Sequence, residues 1–318
     1  MEYLGLILGI IIIIVGAEIF IEGIESTSIN YKIPKMFIIL TVVAFGTSTP
    51  ELIISLQGVL KGDGNLVLSN VIGSIAVNTL LIIGVSSMIN PIKVKSNTVK
   101  KELPLHLFVI VIFSVLFMDN LFGSEGNIIS RSDALLLLFT FVLFFRYLMY
   151  LIKNRKKFLE FLTEEKPKFT LKKSIILSAI GLFLIIGGCT IAVNFSSSVA
   201  EGLGWSEKVT TMIFLVIGTS IPELVMSIIS ARKKQYDFII GNIVGTNIFN
   251  ICIVIGLPVL LFGSISTNAF NIIDMIAILV SGVILLVMVK EDYTISKKEG
   301  FLMILLFFLY YTYLFMWA

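Results

Sequence analysis

The chain predicts an all-α membrane protein of ten transmembrane helices, built as two inverted five-helix repeats with both termini extracellular. Three observations carry this: composition, the placement of basic residues and an internal repeat. Of the 318 residues, 57% are hydrophobic and 14% charged, and the mean hydropathy is +1.02. Soluble domains carry roughly 25% charged residues, so the composition belongs to a bilayer protein.

Apolar runs long enough for a hydrocarbon layer of roughly 30 Å recur along the whole length. They lie at about 4–23, 34–60, 65–90, 104–119, 133–152, 174–200, 208–231, 237–263, 271–290 and 299–317. The first run, in "MEYLGLILGIIIIIVG", lacks a basic leader and continues too far for a signal peptide, so it is expected to remain as the first span. Loops after the odd-numbered spans hold twenty of the 24 Lys and Arg residues, whereas the opposite loops hold three, Lys61, Arg131 and Lys208. Basic residues are retained on the cytoplasmic side, which sets the termini outside. The remaining one, Arg146, lies near the inner end of span 5, where its long side chain snorkels to the interface. His106, the one histidine, opens span 4 and is expected at the cytoplasmic interface. Cys189 and Cys252 make no metal spacing and read as small apolar residues. Trp205 and Trp317 fall at predicted membrane edges as anchors.

Shifting the chain by 172 residues lays one half on the other. "GTSTPEL" at Gly46–Leu52 falls on "GTSIPEL" at Gly218–Leu224, and Asn70, Gly73, Asn78 and Gly84 fall on Asn242, Gly245, Asn250 and Gly256. The expected organisation is a first repeat over 1–152, a basic cytoplasmic connector over 153–173 and a second repeat over 174–318. Five spans per half is an odd number, so the halves enter the membrane in opposite directions. Inverted repeats with polar breaks at matching positions point to a secondary transporter whose site lies at the repeat interface.

The residue chemistry inside the repeat is specific. Pro50 lacks an N–H, and its ring clashes with the carbonyl four residues back, so the helix is expected to break there; Pro222 repeats this. Broken backbone at membrane depth is tolerated beside protein or a water-filled cavity. Thr47 and Glu51 share a face with Ser48 beside them, and Thr219, Ser220 and Glu223 mirror them. Asn70, Ser74 and Asn78 recur every fourth residue, as do Asn242, Thr246 and Asn250, and so line one helical face. A carboxylate, hydroxyls, amides and carbonyls form a hard-oxygen set suited to Ca²⁺, Mg²⁺ and similar cations, whereas softer metals would want paired His or Cys. A kink or an Asn stripe alone is commonly structural. Two intramembrane carboxylates in a duplicated motif are costly, and function is their default reading. Glu18, near the inner end of span 1, is a further candidate for an ion path or for packing.

At "GTSTPE" and "GTSIPE", followed by "GSIAVN" and "GTNIFN", the chain resembles the cation/calcium exchanger superfamily and, within it, the sodium/calcium exchangers. The resemblance covers essentially the whole chain. It implies a ten-helix fold in which helices 2, 3, 7 and 8 form a core and helices 1 and 6 slide against it. It further implies that Glu51, Glu223, Thr47 and Thr219 bind Ca²⁺. Sodium would be held by the same glutamates with Ser48, Ser74, Thr219, Ser220 and Thr246 and the carbonyls of Ala44 and Val216. Potassium-dependent relatives place an acid where this chain has Asn250, while Asn at both positions also occurs in potassium-independent exchangers. The calcium/proton branch usually has Gly-Asn-x-x-Glu in place of Thr-Ser-x-Pro-Glu, which this chain lacks.

The expected function is therefore exchange of Na⁺ for Ca²⁺ across the cell membrane, with a Ca²⁺/H⁺ or other divalent cation/H⁺ antiporter as the alternative. Ca²⁺ and Na⁺, with H⁺ under the alternative, are the expected partners along with the bilayer; no cofactor, nucleic acid or obligatory protein partner is implied. An intramembrane enzyme would need HExxH, paired aspartates or a Ser with a nearby His, none of which the spans offer. A channel is the nearer rival, since oxygen-lined paths also suit pores.

Overall fold

The computed structural model describes residues 2–119, 127–153, 166–202, 216–267, 270–290 and 292–317. Helices follow the apolar runs in chain order. A long α1 (Glu2–Tyr31) leads to a helix bent by 48° between α2 (Lys35–Thr47) and α3 (Thr49–Lys61), then to α4 (Gly64–Ile89). After β1 (Ile92–Lys93) come α5 (Leu103–Phe117), β2 (Asn127–Ile129), α6 (Arg131–Lys153) and α7 (Leu171–Gly202). The remainder comprises α8 (Val216–Thr219), α9 (Ile221–Arg232), α10 (Tyr236–Phe262), β3 (Ile265–Thr267), α11 (Ile272–Met288), β4 (Thr294–Ile295) and α12 (Lys297–Trp317). Five described helices are long and apolar enough to cross a bilayer, six with the bent pair taken as one span. The start of the expected span at 208–231, with Trp205 and Lys208, lies outside the described residues, as does most of the connector.

The outer surface is greasy, and a set of polar side chains is buried within an otherwise apolar interior. Phe139, Phe183, Val287, Phe301 and Phe308 are exposed, whereas Glu51, Glu223, Asn70, Asn78, Asn242 and Asn250 are buried. An apolar exterior of this extent suits lipid as the solvent.

Two apolar clusters organise the packing. One large apolar cluster joins α4, α5, α6, α10, α11 and α12 through residues such as Ile72, Phe113, Phe144, Ile248, Ile278 and Phe307. A smaller one, with Ala17, Phe20, Ile24, Ile39, Ile185 and Met226, holds α1 and α7 against α2 and α9. The two long helices pack most closely on each other. A Cβ added at Gly16 would lie 2.8 Å from the Leu184 Cβ, and one at Gly188 would lie 2.8 Å from the Gly9 carbonyl oxygen. Glycine at both places lets the backbones meet.

Two features escaped the reading of the sequence. Short antiparallel ribbons tie connections together: Ile92 pairs with Ile295, and Ile128 with Ser266. Two- and three-residue strands carry too little pattern to be seen in a sequence. The second feature is a set of π-turns, Ile39–Val43 in α2, Val77–Ile82 in α4 and Asn250–Ile255 in α10. Each widens a helix beside the polar segments, where π-turns commonly accompany function.

Candidate ion-binding site

Both helix breaks fall two residues before the proline. Ser48 (φ −83°, ψ 7°) ends α2 and Ser220 (φ −87°, ψ 0°) ends α8, so Pro50 and Pro222 stand in the first turn of α3 and α9. Proline there is pre-organised for a helix start, and its missing N–H costs nothing. The carbonyls of Ala44 and Val216 still accept the amides of Ser48 and Ser220, each at 3.1 Å. They also take the hydroxyls of Thr47 (3.4 Å) and Thr219 (3.2 Å). The carbonyls that lose an i+4 amide to the prolines are those of Gly46 and Gly218, and the thiol of Cys189 lies 3.6 Å from the latter. Cys189 is thus a buried donor at the break, not only the small apolar residue its sequence context suggests.

The breaks place each glutamate at the start of a helix, where backbone N–H groups favour negative charge. Glu51 and Glu223 come within electrostatic reach of one another, with Thr219 of the second half near Glu51 and Thr47 of the first half near Glu223. Gly73 and Gly245 bring α4 and α10 onto the opposite half's broken helix. A Cβ at Gly73 would meet the Val216 Cγ1 at 2.8 Å, and one at Gly245 would meet the Ala44 Cβ at 2.8 Å. Each repeat therefore completes the other's half-site.

The polar atoms left over are the test of what fits. Oε2 of Glu51, both carboxylate oxygens of Glu223 and the hydroxyls of Ser48, Ser74, Ser220 and Thr246 are buried with no partner among the described residues. So are Oδ1 of Asn78 and both amide atoms of Asn242 and Asn250. Native interiors leave few such groups, and a cluster of them marks a place built for a ligand. Nearly all the unpartnered atoms are hard oxygens, which suits a dehydrated Na⁺ or Ca²⁺ as cargo.

The amides divide into two kinds. Asn70 donates to the Glu51 carbonyl (3.0 Å) and the Ser55 hydroxyl (3.3 Å), bracing the start of α3. Asn78 donates to Oδ1 of Asn247 at 3.0 Å. Glu18 is exposed on α1, whereas the residues of this cluster are buried. The interfacial placement expected for His106 is corrected: the ring is wholly buried in α5, with Nε2 3.0 Å from Nδ2 of Asn247. The π-turn Thr98–Glu102 continues helically into α5 and carries the histidine inside, a depth that an apolar run alone does not reveal. Asn247 was also missed, since its counterpart 172 residues earlier is Ile75 and the repeat drew no attention to it.

A cavity of about 540 Å³ lies elsewhere, near the C-terminal end of α1, lined by Glu22, Glu25, Lys168, Lys233 and Gln235. Glu25 pairs with Lys35 at 2.7 Å, and Glu22 with Lys168 at 2.8 Å and Lys233 at 3.6 Å. Those contacts tie α1 to the rest of the molecule.

Comparison with known proteins matches the family described as sodium/calcium exchanger protein over residues 1–150 and 173–316. The chain is 32% identical over 254 residues to the putative antiporter CaxA of Alkalimonas amylolytica, covering 79% of this chain and 77% of that protein. It is 25% identical to the sodium/calcium exchanger MaX1 of Methanosarcina acetivorans, covering 96% of each. The structure of the sodium-calcium exchanger NCX_Mj soaked with 100 mM Na⁺ and 10 mM Sr²⁺ superposes with a TM-score of 0.80 at 27% identity, over 97% of this chain and 98% of that one.

Proposed function

This chain belongs to the sodium/calcium exchanger protein family, and from that premise we propose that it exchanges Na⁺ for Ca²⁺ by alternating access, with Glu51 and Glu223 at the midplane holding the ions. The family is one of transporters, so the chain is a multi-pass membrane transporter and not an enzyme. The observation that carries the ion assignment is the pair of buried glutamates, within electrostatic reach of one another, amid buried oxygens that lack partners.

In ionised form the two carboxylates supply a charge of −2, which one Ca²⁺ or two Na⁺ neutralise. Either load lets the site pass through a low-dielectric barrier, whereas a bare pair of charges is costly to carry. Thr47, Thr219 and the glutamates form the calcium set. Ser48, Ser74, Ser220 and Thr246, with the remaining lone pairs of the Ala44 and Val216 carbonyls, add neutral oxygens for sodium.

The proposed topology has ten spans, with residues 1–152 and 174–318 as inverted repeats joined by the 153–173 connector and both termini outside. The ribbons support it: β1–β4 joins the connections after spans 3 and 9, and β2–β3 those after spans 4 and 8. The charge count puts each of those pairs on one side of the membrane. The separate packing of α1 with α7 supports a unit that moves against the core.

The test is calcium uptake into sodium-loaded vesicles containing the purified protein. Uptake that depends on the outward sodium gradient is the expected result. Uptake driven by a proton gradient alone, with sodium absent, would replace sodium with protons as the coupling ion.

A further inference from the structure

We propose that His106 is a positioning residue for the ion site: acting through Asn247, it turns the oxygen of Asn78, and not its NH₂, toward the cation. The inference rests on the reading of Asn78 as part of that site.

Three elements build a short relay. Nδ2 of Asn78 (α4) donates to Oδ1 of Asn247 (α10) at 3.0 Å. That leaves Asn247 with two N–H groups, which point to Oγ1 of Thr79 at 3.0 Å and to Nε2 of His106 (α5) at 3.0 Å. All four residues are wholly or almost wholly buried. With water excluded, each amide has one satisfactory orientation, and the ends of the chain decide which.

Thr79 does not decide it, because a hydroxyl both donates and accepts. Asn78 and Asn247 do not decide it either, since flipping both amides together keeps their mutual hydrogen bond. The imidazole does when its proton sits on Nδ1, the tautomer we assign to it; Nδ1 is itself buried with no partner among the described residues. With Nε2 then the acceptor, Asn247 must present Nδ2 to the ring and Oδ1 to Asn78, and Asn78 is left with Oδ1 unpartnered. A donor at Nε2 would reverse every member of the chain and leave an NH₂ where a cation needs a lone pair. Asn78 lies one turn beyond Ser74 on the same helical face, and the Ser74 hydroxyl is likewise buried and unpartnered.

Among the described residues the second repeat has no such device. Ile75 occupies the place corresponding to Asn247, and both amide atoms of Asn250 are buried with no hydrogen-bond partner among those residues. The two related asparagines therefore differ: the relay presets the oxygen of Asn78, while no described hydrogen bond sets the amide of Asn250.

The experiment is equilibrium calcium binding to purified protein in detergent, by calorimetry. His106→Phe keeps a ring and removes the acceptor, while His106→Gln restores an acceptor near the position of Nε2. The expected result is about three- to tenfold weaker calcium binding for His106→Phe, the scale of one oriented hydrogen-bonding group. His106→Gln should return to within about twofold of the wild type. In an Asn78→Ala background, adding His106→Phe should change affinity by less than about twofold, because the histidine acts through that asparagine. Should His106→Phe fail to fold, Asn247→Leu breaks the same relay and carries the same expectation. Unchanged affinity in the relay-breaking variant, or an equal loss with and without Asn78, overturns the proposal. Sodium-driven uptake by the wild type is scored separately. Calcium binding without such uptake would remove the exchange reading and leave the relay test standing.

Discussion

Glu51 and Glu223 supply all the formal charge of the candidate site, so they are where single-residue effects should be largest. Replacing either with Gln keeps size and hydrogen bonding while removing half the charge. Each of Glu51→Gln and Glu223→Gln should lower calcium uptake at least about a hundredfold, in line with losing one member of a buried charge interaction. The variants should remain monodisperse in detergent, and robust uptake by both would dismiss the site. Protons and cations compete for the same carboxylate oxygens, since a protonated carboxyl no longer offers charge. Acidification between about pH 8 and 5 should therefore weaken apparent calcium affinity before it lowers the maximal rate, with excess calcium restoring transport. Titration at several pH values checks this, and a flat affinity would exclude proton competition in that range. Asn250 bears on a third expectation. It offers an uncharged amide where potassium-dependent relatives place an acid, so exchange should persist when potassium is replaced by choline. A flux that returned only with added potassium would show that the neutral residue is not decisive.

At the scale of elements, the breaks and the close crossings matter more than any ligand alone. The breaks turn two helix N-termini toward the carboxylates, and Gly73 and Gly245 set how near α4 and α10 come to the opposite half. A methyl at Gly245 would have to displace Ala44, whose Cβ lies 2.8 Å from the added atom, or the backbone of Leu40, with its Cα at 3.1 Å. Neither is the end of a flexible side chain, so Gly245→Ala should cost about 1–3 kcal/mol by overpacking. The displaced helix carries the Ala44 carbonyl and Ser48, so sodium dependence should shift together with the thermal midpoint in detergent. A variant with wild-type stability and sodium affinity would show that this crossing has room to spare. The pairs at the C-terminal end of α1 are a different matter. Their side chains are partly exposed, and such ion pairs contribute little individually.

For the whole molecule, an unloaded pair of carboxylates should not cross, and exchange should be obligatory. Vesicles loaded with labelled calcium should retain it in a medium free of both sodium and calcium, and release it when either ion is added outside. Release into the ion-free medium at a comparable rate would indicate a channel-like path. The division into an α1–α7 unit and a larger core offers a physical route for switching: the small cluster between them can slide while the large one keeps its packing.

Much of this was determined by the sequence alone, for reasons that are local or cumulative. Hydropathy placed the helical segments, because burial in lipid needs long uninterrupted apolar runs. The 172-residue repeat singled out Glu51, Glu223 and their Thr, Ser, Asn and Pro neighbours, because costly polar groups were duplicated at fixed spacing. Only the tertiary structure decided what those residues meet. It turned Asn70 into a brace on the Glu51 carbonyl and gave Cys189 the carbonyl that Pro222 leaves open. It moved the breaks to Ser48 and Ser220, and it carried His106 from an expected interface into the interior beside Asn247. A single apolar run says that a helix is buried in the membrane but not how deep a given residue sits. Nor does periodicity say which amide a neighbour will orient, because that depends on atoms from α4, α5 and α10 meeting across more than a hundred residues of chain.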